Sequence, residues 1–340
     1  MLIVVVHASI TYGAAGPWYY TEPHDLGWLT NLQALISALS RSFAPGAFFF
    51  LSGYFVPGSL EDRGAAGLLR ERAGRLLIPC GLFFFVANPL LVAAVAAWGW
   101  GDPIPLGPWF GLGPLWFLPV LYTFVVLYVA GKMLFPRLTG ARWPTGMPSR
   151  TFIFGSVAVI AALGFLLRVV FPMGAASGVP IRLLPMFVIL FAAGIKAGRE
   201  EWLEDIASLP IGLWTVLAAL ALALFPFLRM TDGSSTGLTW QNAAYSLWGA
   251  VTGTSVFLVT LVIFARARWV VPGIGESFGG SSYAIYLLHT FAVVLLALGM
   301  KNLSVHPAVK WIGLSVLGVC LPWAASRALR KVPGFSRVFS

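Results

Sequence analysis

Two histidines lie inside apolar segments of the chain, where an ionisable side chain is uncommon. His7 belongs to the opening run MLIVVVHASITYG, and His289 belongs to SSYAIYLLHTF near the other end. A neutral imidazole is the usual general base near pH 7. A single buried histidine more often makes a structural hydrogen bond between helices, but two at similar depth in their segments favour acid–base chemistry.

Three arginines add chemistry suited to anions. Arg41 lies in SALSRSFAPGAFFFLSGYF, where it either extends to the membrane interface or faces a binding cavity. Arg72 and Arg75, in RERAGRLLIP, are three residues apart and share one face of a helix. Paired guanidinium groups can hold phosphates bidentately. Arginines at a cytoplasmic helix end are also expected from topology alone, so both interpretations of this pair stay open.

The elements that must position these residues are membrane helices. Of the 340 residues, 59% are hydrophobic and 10% are charged, whereas a soluble domain carries about 25% charged residues. Apolar segments of about 20 residues can cross a bilayer as helices. We predict about ten, over residues 1–15, 32–57, 75–98, 113–135, 151–171, 182–198, 209–228, 242–265, 281–300 and 308–326. The predicted fold class is therefore all-α, a polytopic membrane protein with a single transmembrane domain over residues 1–340.

The positive charges predict the orientation of these helices. The formal net charge is +10, and sixteen lysines and arginines fall in one alternate set of connections against five in the other. The larger set comprises Arg63, Arg70, Arg72, Arg75, Lys132, Arg137, Arg142, Arg150, Lys196, Arg199, Arg266, Arg268, Arg327, Arg330, Lys331 and Arg337. The positive-inside rule places this set and both termini in the cytoplasm. Topology thus explains the excess charge, and no nucleic-acid partner is expected.

The acidic residues and the cysteines disfavour other kinds of function. All twelve acidic residues lie in connections or at segment edges, so no carboxylate remains at mid-membrane to carry a coupling ion. Proton- or sodium-coupled transport is therefore disfavoured. Cys80 and Cys320 both lie inside apolar segments, which predicts small core residues rather than a disulfide or a metal site. We expect no metal.

The first apolar segment is shorter than a full span. It has about 15 residues where about 20 are needed, and no cationic residue flanks its start. We therefore expect a first helix that is truncated at its N-terminus. A cleaved signal peptide with GAAG at the cleavage site is the alternative, but the charged region that opens such peptides is absent.

Five stretches follow one another in a recognisable order: VVVHASITYG with GPWYY, GAFFFLSGYFVPGSLEDRG, RERAGRLLIP, GPLWFLPVLY and SSYAIYLLH. Together they resemble the bacterial integral-membrane acyltransferases of the acyltransferase type 3 family, which includes sugar O-acetylases and glucan succinyltransferases. The family motif places an arginine about three helical turns before the histidine that aligns with His7, at a position upstream of Met1. The tyrosine-rich motif of the family maps to Tyr283, Tyr286 and His289.

The resemblance implies acyl transfer from acyl-coenzyme A in the cytoplasm to a hydroxyl group of a glycan or similar acceptor at the outer face. His7 would be the general base on the acceptor hydroxyl, and Arg72 and Arg75 would hold the phosphates of the donor. Acyl-coenzyme A is then a co-substrate, and no cofactor is expected. The implied location is the bacterial cytoplasmic (inner) membrane, with the lipid bilayer as a partner.

We further expect His7, His289 and Ser52 to face one interior cavity, with Arg72 and Arg75 at its cytoplasmic mouth. The candidates for lining this cavity or contacting the acceptor are Arg41, Ser52, Tyr54, Trp116, Tyr286 and His289. The small pair Ser52-Gly53 is also expected to permit close helix approach.

Aromatic residues leave two functions open. Trp116, with Trp18 and Tyr20 of the outer loop, is suited to stacking on a sugar ring, although tryptophan belts at membrane interfaces give the same pattern. The alternative function is a non-enzymatic carrier or flippase for a lipid-linked glycan. A carrier needs no general base, so the buried histidines favour the enzyme.

Overall fold

A computed structural model describes residues 1–99, 110–135, 146–171, 180–200, 202–230, 237–267 and 274–329. The helices, numbered in chain order, are α1 Leu2–Thr11, α2 Gly27–Leu82, α3 Asn88–Trp98, α4 Phe117–Leu134, α5 Arg150–Val170, α6 Leu184–Arg199, α7 Trp202–Ile206, α8 Gly212–Met230, α9 Trp240–Arg266, α10 Ile274–Met300 and α11 Pro307–Leu329. A π-helical turn, Phe83–Ala87, and two 3₁₀ turns, Gly113–Trp116 and Ile181–Leu183, connect some of them. No strand occurs within these ranges.

These helices confirm an all-α, polytopic membrane protein. Of the described residues, 85% are helical, and eight stretches of them are long and apolar enough to cross a membrane, judged by length and composition. One of the eight, Gly27–Trp98, contains both predicted spans 32–57 and 75–98. The predicted first span, 1–15, is represented by the shorter α1, which ends where Gly13 and Gly16 interrupt the apolar run.

Helix α2 is longer than the sequence predicts. The spans predicted over 32–57 and 75–98 leave residues 58–74 as a polar connection, but the chain stays helical through most of this stretch. The segment is rich in leucine, arginine, glutamate and alanine, all of which have high helix propensity. The interruption is confined to Gly64, whose φ of 67° and ψ of 172° are non-helical. A positive φ favours glycine because the residue has no Cβ.

The chain divides into two compact units. The first unit comprises Met1–Ser40, Gly74–Leu115 and Arg268–Ser340, and the second comprises Arg41–Ala73 and Trp116–Ala267. In the first unit, α1 packs against α10 and α11, and α10 and α11 pack against each other. The single domain over residues 1–340 stays a prediction.

Two glycines of the second unit bring α2 and α6 into backbone contact. A Cβ atom on Gly53 would lie 2.2 Å from the carbonyl oxygen of Phe191, and one on Gly194 would lie 2.0 Å from that of Phe50. Only glycine fits at such distances, which is the usual reason for small residues at membrane helix interfaces. The expectation that the pair Ser52-Gly53 permits close helix approach is therefore confirmed. In the same unit, α9 packs against α5 and α8.

The two cysteines differ in burial. Cys80 is buried, and its thiol donates to the carbonyl oxygen of Leu115 at 3.4 Å. Cys320 is exposed, so a core position is the wrong expectation for it. The reason is that Cys320 lies on the exposed face of α11, together with Leu317 and Leu321. Both cysteines are free thiols.

The predicted orientation in the membrane stays a prediction. Several of the cations on which it rests lie outside the described ranges, namely Arg137, Arg142, Arg268, Arg330, Lys331 and Arg337. Three acidic residues, Asp102, Glu201 and Asp232, also lie outside them.

Candidate active site

His7 and His289 form one hydrogen-bonded pair within the first unit. Helix α1 carries His7 and α10 carries His289, and both side chains are buried, at 9% and 0% exposure. Nδ1 of His7 lies 2.9 Å from Nε2 of His289, and the two rings are nearly parallel, at 8°. Nδ1 of His289 lies 2.6 Å from the carbonyl oxygen of Tyr286. The two histidines that the sequence singled out are therefore in direct contact.

The carbonyl oxygen of Tyr286 ends this series of hydrogen bonds, and it sets the direction of each of them. A carbonyl oxygen only accepts, so Nδ1 of His289 carries the proton. In neutral His289 the other nitrogen, Nε2, is then an acceptor, and Nδ1 of His7 donates to it. Neutral His7 consequently has its basic lone pair on Nε2. An imidazole whose tautomer is fixed in this way is suited to removing a proton from a substrate.

The indole ring of Trp18 covers one face of the His7 ring. The ring centroids are 4.0 Å apart and the planes differ by 18°. Trp18 comes from the segment after α1, which is anchored where the backbone N–H of Glu22 donates to the carbonyl oxygen of Thr11 at 2.6 Å. The stack holds the plane of His7 and leaves the nitrogen edges of the ring to hydrogen bonding. One face of Trp18 is thus occupied by His7, and stacking of a sugar ring on its other face stays a prediction.

Helix α1 depends on tertiary contacts for its position, because an isolated helix of its length is marginal in water. It has 10 residues. The indole N–H of Trp311 on α11 donates to Oγ of Ser9 at 3.1 Å. Close by, Gly318 of α11 allows α1 to approach, since a Cβ there would lie 2.8 Å from Cγ1 of Val4. Contacts with both α10 and α11 therefore place His7.

The tyrosines of the SSYAIYLLH motif bind backbone groups. The hydroxyl of Tyr286 donates to the carbonyl oxygen of Pro114 at 2.8 Å, and that of Tyr283 donates to the carbonyl oxygen of Arg75. These bonds attach α10 to the 3₁₀ turn Gly113–Trp116 and to α2 at Arg75. Tyr286, expected as an acceptor candidate, thus has a role in positioning α10.

Tyr20, in the segment between α1 and α2, is buried, which disfavours its stacking on a sugar ring. Its side chain is 4% exposed, and its hydroxyl donates to Oε2 of Glu22 at 3.4 Å. Burial, together with the negative charge of Glu22, raises the pKa of Tyr20 to about 12. The hydroxyl therefore stays protonated at neutral pH and is not a second candidate base. Glu22 also pairs with Lys310, at 2.5 Å between Oε1 and Nζ.

The remaining predicted site residues belong to the second unit, except Arg75. Arg41 lies in electrostatic range of Arg182 and of Tyr245, whose ring also carries the guanidinium of Arg168 at 4.8 Å from its centroid. Arg41 is exposed. The two arginines expected to bind the donor, Arg72 and Arg75, both lie on α2 and are partly buried.

Ser52, Tyr54 and Trp116 pack within the second unit. Ser52 is partly buried, and the backbone carbonyl of Tyr54 lies against α6, 2.1 Å from where a Cβ of Gly198 would stand. The indole of Trp116 lies nearly parallel to the ring of Phe187, with centroids 6.2 Å apart. A common cavity for His7, His289 and Ser52 stays a prediction.

Sequence reasoning missed a row of buried polar residues on α2. Gln33 and Ser37 are 0% exposed and Ser40 is 5% exposed. With Thr30 they repeat every three or four residues, which places them on one face of the helix. That spacing was a signal in the sequence, because a polar face on an otherwise apolar span normally faces protein or water rather than lipid.

An all-α membrane protein with an oriented, buried imidazole is equipped for acid–base chemistry within the bilayer. Comparison with known proteins agrees with this description. A family model described as an acyltransferase domain matches residues 1–327. The chain belongs to the acyltransferase type 3 family and is a multi-pass membrane acyltransferase. No curated protein and no solved structure matches the chain.

The histidine pair leads to a testable prediction for His289. We expect His289→Leu to lower the rate of acyl transfer by about tenfold, the value of one lost hydrogen bond, because Nδ1 of His7 loses its acceptor. His289→Gln keeps a side-chain acceptor and is expected to retain more activity. The measurement is the initial rate per folded molecule for each variant. Equal rates for the two variants would show that His289 does not orient His7.

Proposed function

We propose that the protein transfers an acyl group from acyl-coenzyme A to a hydroxyl group of an extracytoplasmic glycan, with His7 as the general base. The observation that supports the proposal is the hydrogen-bonded chain from His7 through His289 to the carbonyl oxygen of Tyr286. A carrier for a lipid-linked glycan needs no oriented base, so this chain favours the enzyme.

The proposed reaction follows from the lone pair on Nε2 of His7. Nε2 takes the proton of the acceptor hydroxyl as its oxygen attacks the thioester carbonyl carbon of the donor. The carbon–sulfur bond then breaks, and the imidazolium of His7 returns the proton to the departing thiolate. The products are an ester on the acceptor and free coenzyme A. The hydrogen bond to His289 and the stack on Trp18 hold the imidazole in one orientation through these steps.

Arg72 and Arg75 are proposed to bind the phosphates of acyl-coenzyme A. They are three residues apart on α2, so their guanidinium groups leave the helix in similar directions. The positive-inside pattern supports a cytoplasmic side for this part of α2, and the proposed location is a bacterial inner membrane with both termini in the cytoplasm. The donor then enters from the cytoplasm and the acceptor from the opposite side.

The donor assignment predicts a specific loss of affinity. We expect Arg72→Lys combined with Arg75→Lys to weaken acetyl-coenzyme A binding by roughly tenfold, because ammonium groups keep the charge but lose the planar fork. The measurement is the dissociation constant by calorimetry on protein in nanodiscs. The matched control is Arg70→Lys, an exposed position on the same helix. Unchanged affinity in the double variant would show that Arg72 and Arg75 do not bind the donor and serve only to orient the helix in the membrane.

The proposed function is tested directly by isotope-labelled acetyl-coenzyme A and hydroxyl acceptors offered to the protein in nanodiscs. We expect label in an ester product and release of one free thiol for each ester formed. Absence of ester with every acceptor, despite binding of acetyl-coenzyme A, would contradict the proposal.

A further inference from the structure

Three uncharged polar side chains converge on Gly13, just beyond the end of α1. A methyl group on the α-carbon of Gly13 would lie 3.1 Å from Oε1 of Gln33, 3.3 Å from Oγ1 of Thr30 and 3.7 Å from Nε2 of His24. All four residues belong to the first unit, which also contains His7. Gly13 has a φ of 137°, a conformation that favours glycine. We call this arrangement the Gly13 cradle.

Gln33 is the most unusual member of the cradle. Its side chain is 0% exposed, yet neither its amide oxygen nor its amide nitrogen has a hydrogen-bond partner among the described residues. Leaving a buried amide unpaired costs free energy, and native proteins normally avoid it unless a water or a ligand completes the bonds. Oε1 is the Gln33 atom nearest to Gly13, and it presents a hydrogen-bond acceptor to the cradle.

His24 adds a donor of known direction. The backbone N–H of Leu26 donates to Nδ1 of His24 at 3.2 Å. In the neutral ring the proton therefore sits on Nε2, which is buried and has no partner within the described residues. The cradle thus offers an N–H from His24, the amide oxygen of Gln33 and the hydroxyl of Thr30.

We infer that the Gly13 cradle binds vicinal hydroxyl groups of a neutral sugar, the acceptor of the proposed reaction. A hydroxyl group both donates and accepts, which matches a site of mixed donors and acceptors. The three cradle side chains carry no formal charge, so nothing in them selects an anion or a cation. Gly13 follows His7 by six residues and belongs to the same compact unit, so a sugar held there lies in the same part of the protein as the proposed base. This inference rests on the proposed function.

The polar row on α2 supports a ligand rather than an isolated packing defect. Thr30 and Gln33 belong to this row, which continues along the same face of α2 to Ser37 and Ser40. Gln33, Ser37 and Ser40 are all buried. A series of buried polar groups inside an apolar span is costly and is typically associated with a substrate path. The cradle is the end of this row nearest to the segment between α1 and α2.

The test compares Gln33→Met with the matched control Asn31→Met. Asn31 is an exposed amide on the same helix, two residues away. The probes are the methyl glycosides of glucose, galactose, mannose and N-acetylglucosamine, and 1-propanol as a hydroxyl acceptor that has no vicinal hydroxyls. Binding is measured by saturation-transfer NMR in nanodiscs, and transfer from acetyl-coenzyme A is measured for each probe.

We expect at least one glycoside to bind, and Gln33→Met to weaken that binding and raise its KM by about tenfold or more. Transfer to 1-propanol, binding of acetyl-coenzyme A and all properties of Asn31→Met are expected to stay unchanged. The melting temperature of Gln33→Met without sugar is expected to be equal or higher, because an unpaired amide is removed from the interior.

Three outcomes would overturn the inference: no glycoside binds the parent protein, glycoside and propanol transfer fall together in Gln33→Met, or that variant melts at a clearly lower temperature. The first would mean that the cradle holds water only, and the third would mean that the amide has a structural partner. Glycoside binding without any acyl transfer would contradict the proposed function and leave the sugar site intact, so the two failures are distinguishable.

Discussion

His7→Ala is expected to lower acyl transfer by about two to four orders of magnitude, the usual contribution of a general base. The lone pair on Nε2 of His7 disappears. The lone pair on Nε2 of His289 loses its donor but belongs to a different helix and position, and the hydroxyl of Tyr286 already donates to the carbonyl oxygen of Pro114. Binding of acetyl-coenzyme A is expected to remain, since the proposed donor site lies on α2. Rates and donor affinity are measured on the same preparation.

The control for this prediction is His306→Asn. His306 is exposed, and its Nδ1 accepts from the backbone N–H of Ala308, a bond that asparagine can replace at the start of α11. This variant is expected to keep full activity and stability. A His7→Ala protein that retains turnover per folded molecule, but melts at a lower temperature, would make His7 a structural partner of His289 and would remove the base from the proposed mechanism.

Gly53→Ala is expected to destabilise the protein by about 3 kcal/mol or more, or to prevent folding, because overpacking against a backbone cannot be relieved by rotating a side chain. The added Cβ would lie 2.2 Å from the carbonyl oxygen of Phe191 and 3.1 Å from the backbone nitrogen of Ile195. Helices α2 and α6 must then separate. The measurement is thermal unfolding in detergent, followed by the yield of folded protein.

Gly58→Ala, on the same helix, is the matched control for Gly53→Ala. Apart from the nearby backbone of its own helix, no described atom lies within 4 Å of where a Cβ of Gly58 would stand. Alanine has a higher helix propensity than glycine, by about 1 kcal/mol, so this control is expected to be neutral or stabilising. Similar losses in both variants would show that the close contact between α2 and α6 is not what limits stability.

The sequence predicted most of the fold because the helices of a membrane protein are encoded locally. Apolar length alone defines a span, and each predicted segment corresponds to a helix. The predictions of the fold were wrong where a tertiary contact or a local conformational preference determines the structure. The stretch 58–74 is polar, which suggested a loop, but its residues favour helix and only Gly64 departs from it. Polarity predicts exposure to water, not the absence of helix.

The candidate site was predicted in part. His7 and His289 were identified because imidazoles are rare in apolar segments, but their contact joins residues 282 apart in sequence, which no local pattern encodes. The tautomer also depends on a carbonyl oxygen that only the structure locates. For Trp18 we suggested a sugar ring or the membrane interface, whereas the structure also places it on His7. The sequence of an aromatic residue does not indicate which ring it stacks on. Gln33 was overlooked because its significance lies in being buried.

The hydrogen-bonded chain that starts at His7 ends on the carbonyl oxygen of Tyr286, a group that takes up no proton. A proton that reaches Nε2 of His7 therefore has no onward path through His289. In the proposed reaction the proton leaves with coenzyme A, and each catalytic cycle balances its protons inside the site. The thioester of the donor then supplies the free energy of the proposed transfer, and the proposed cycle requires no net movement of protons across the membrane.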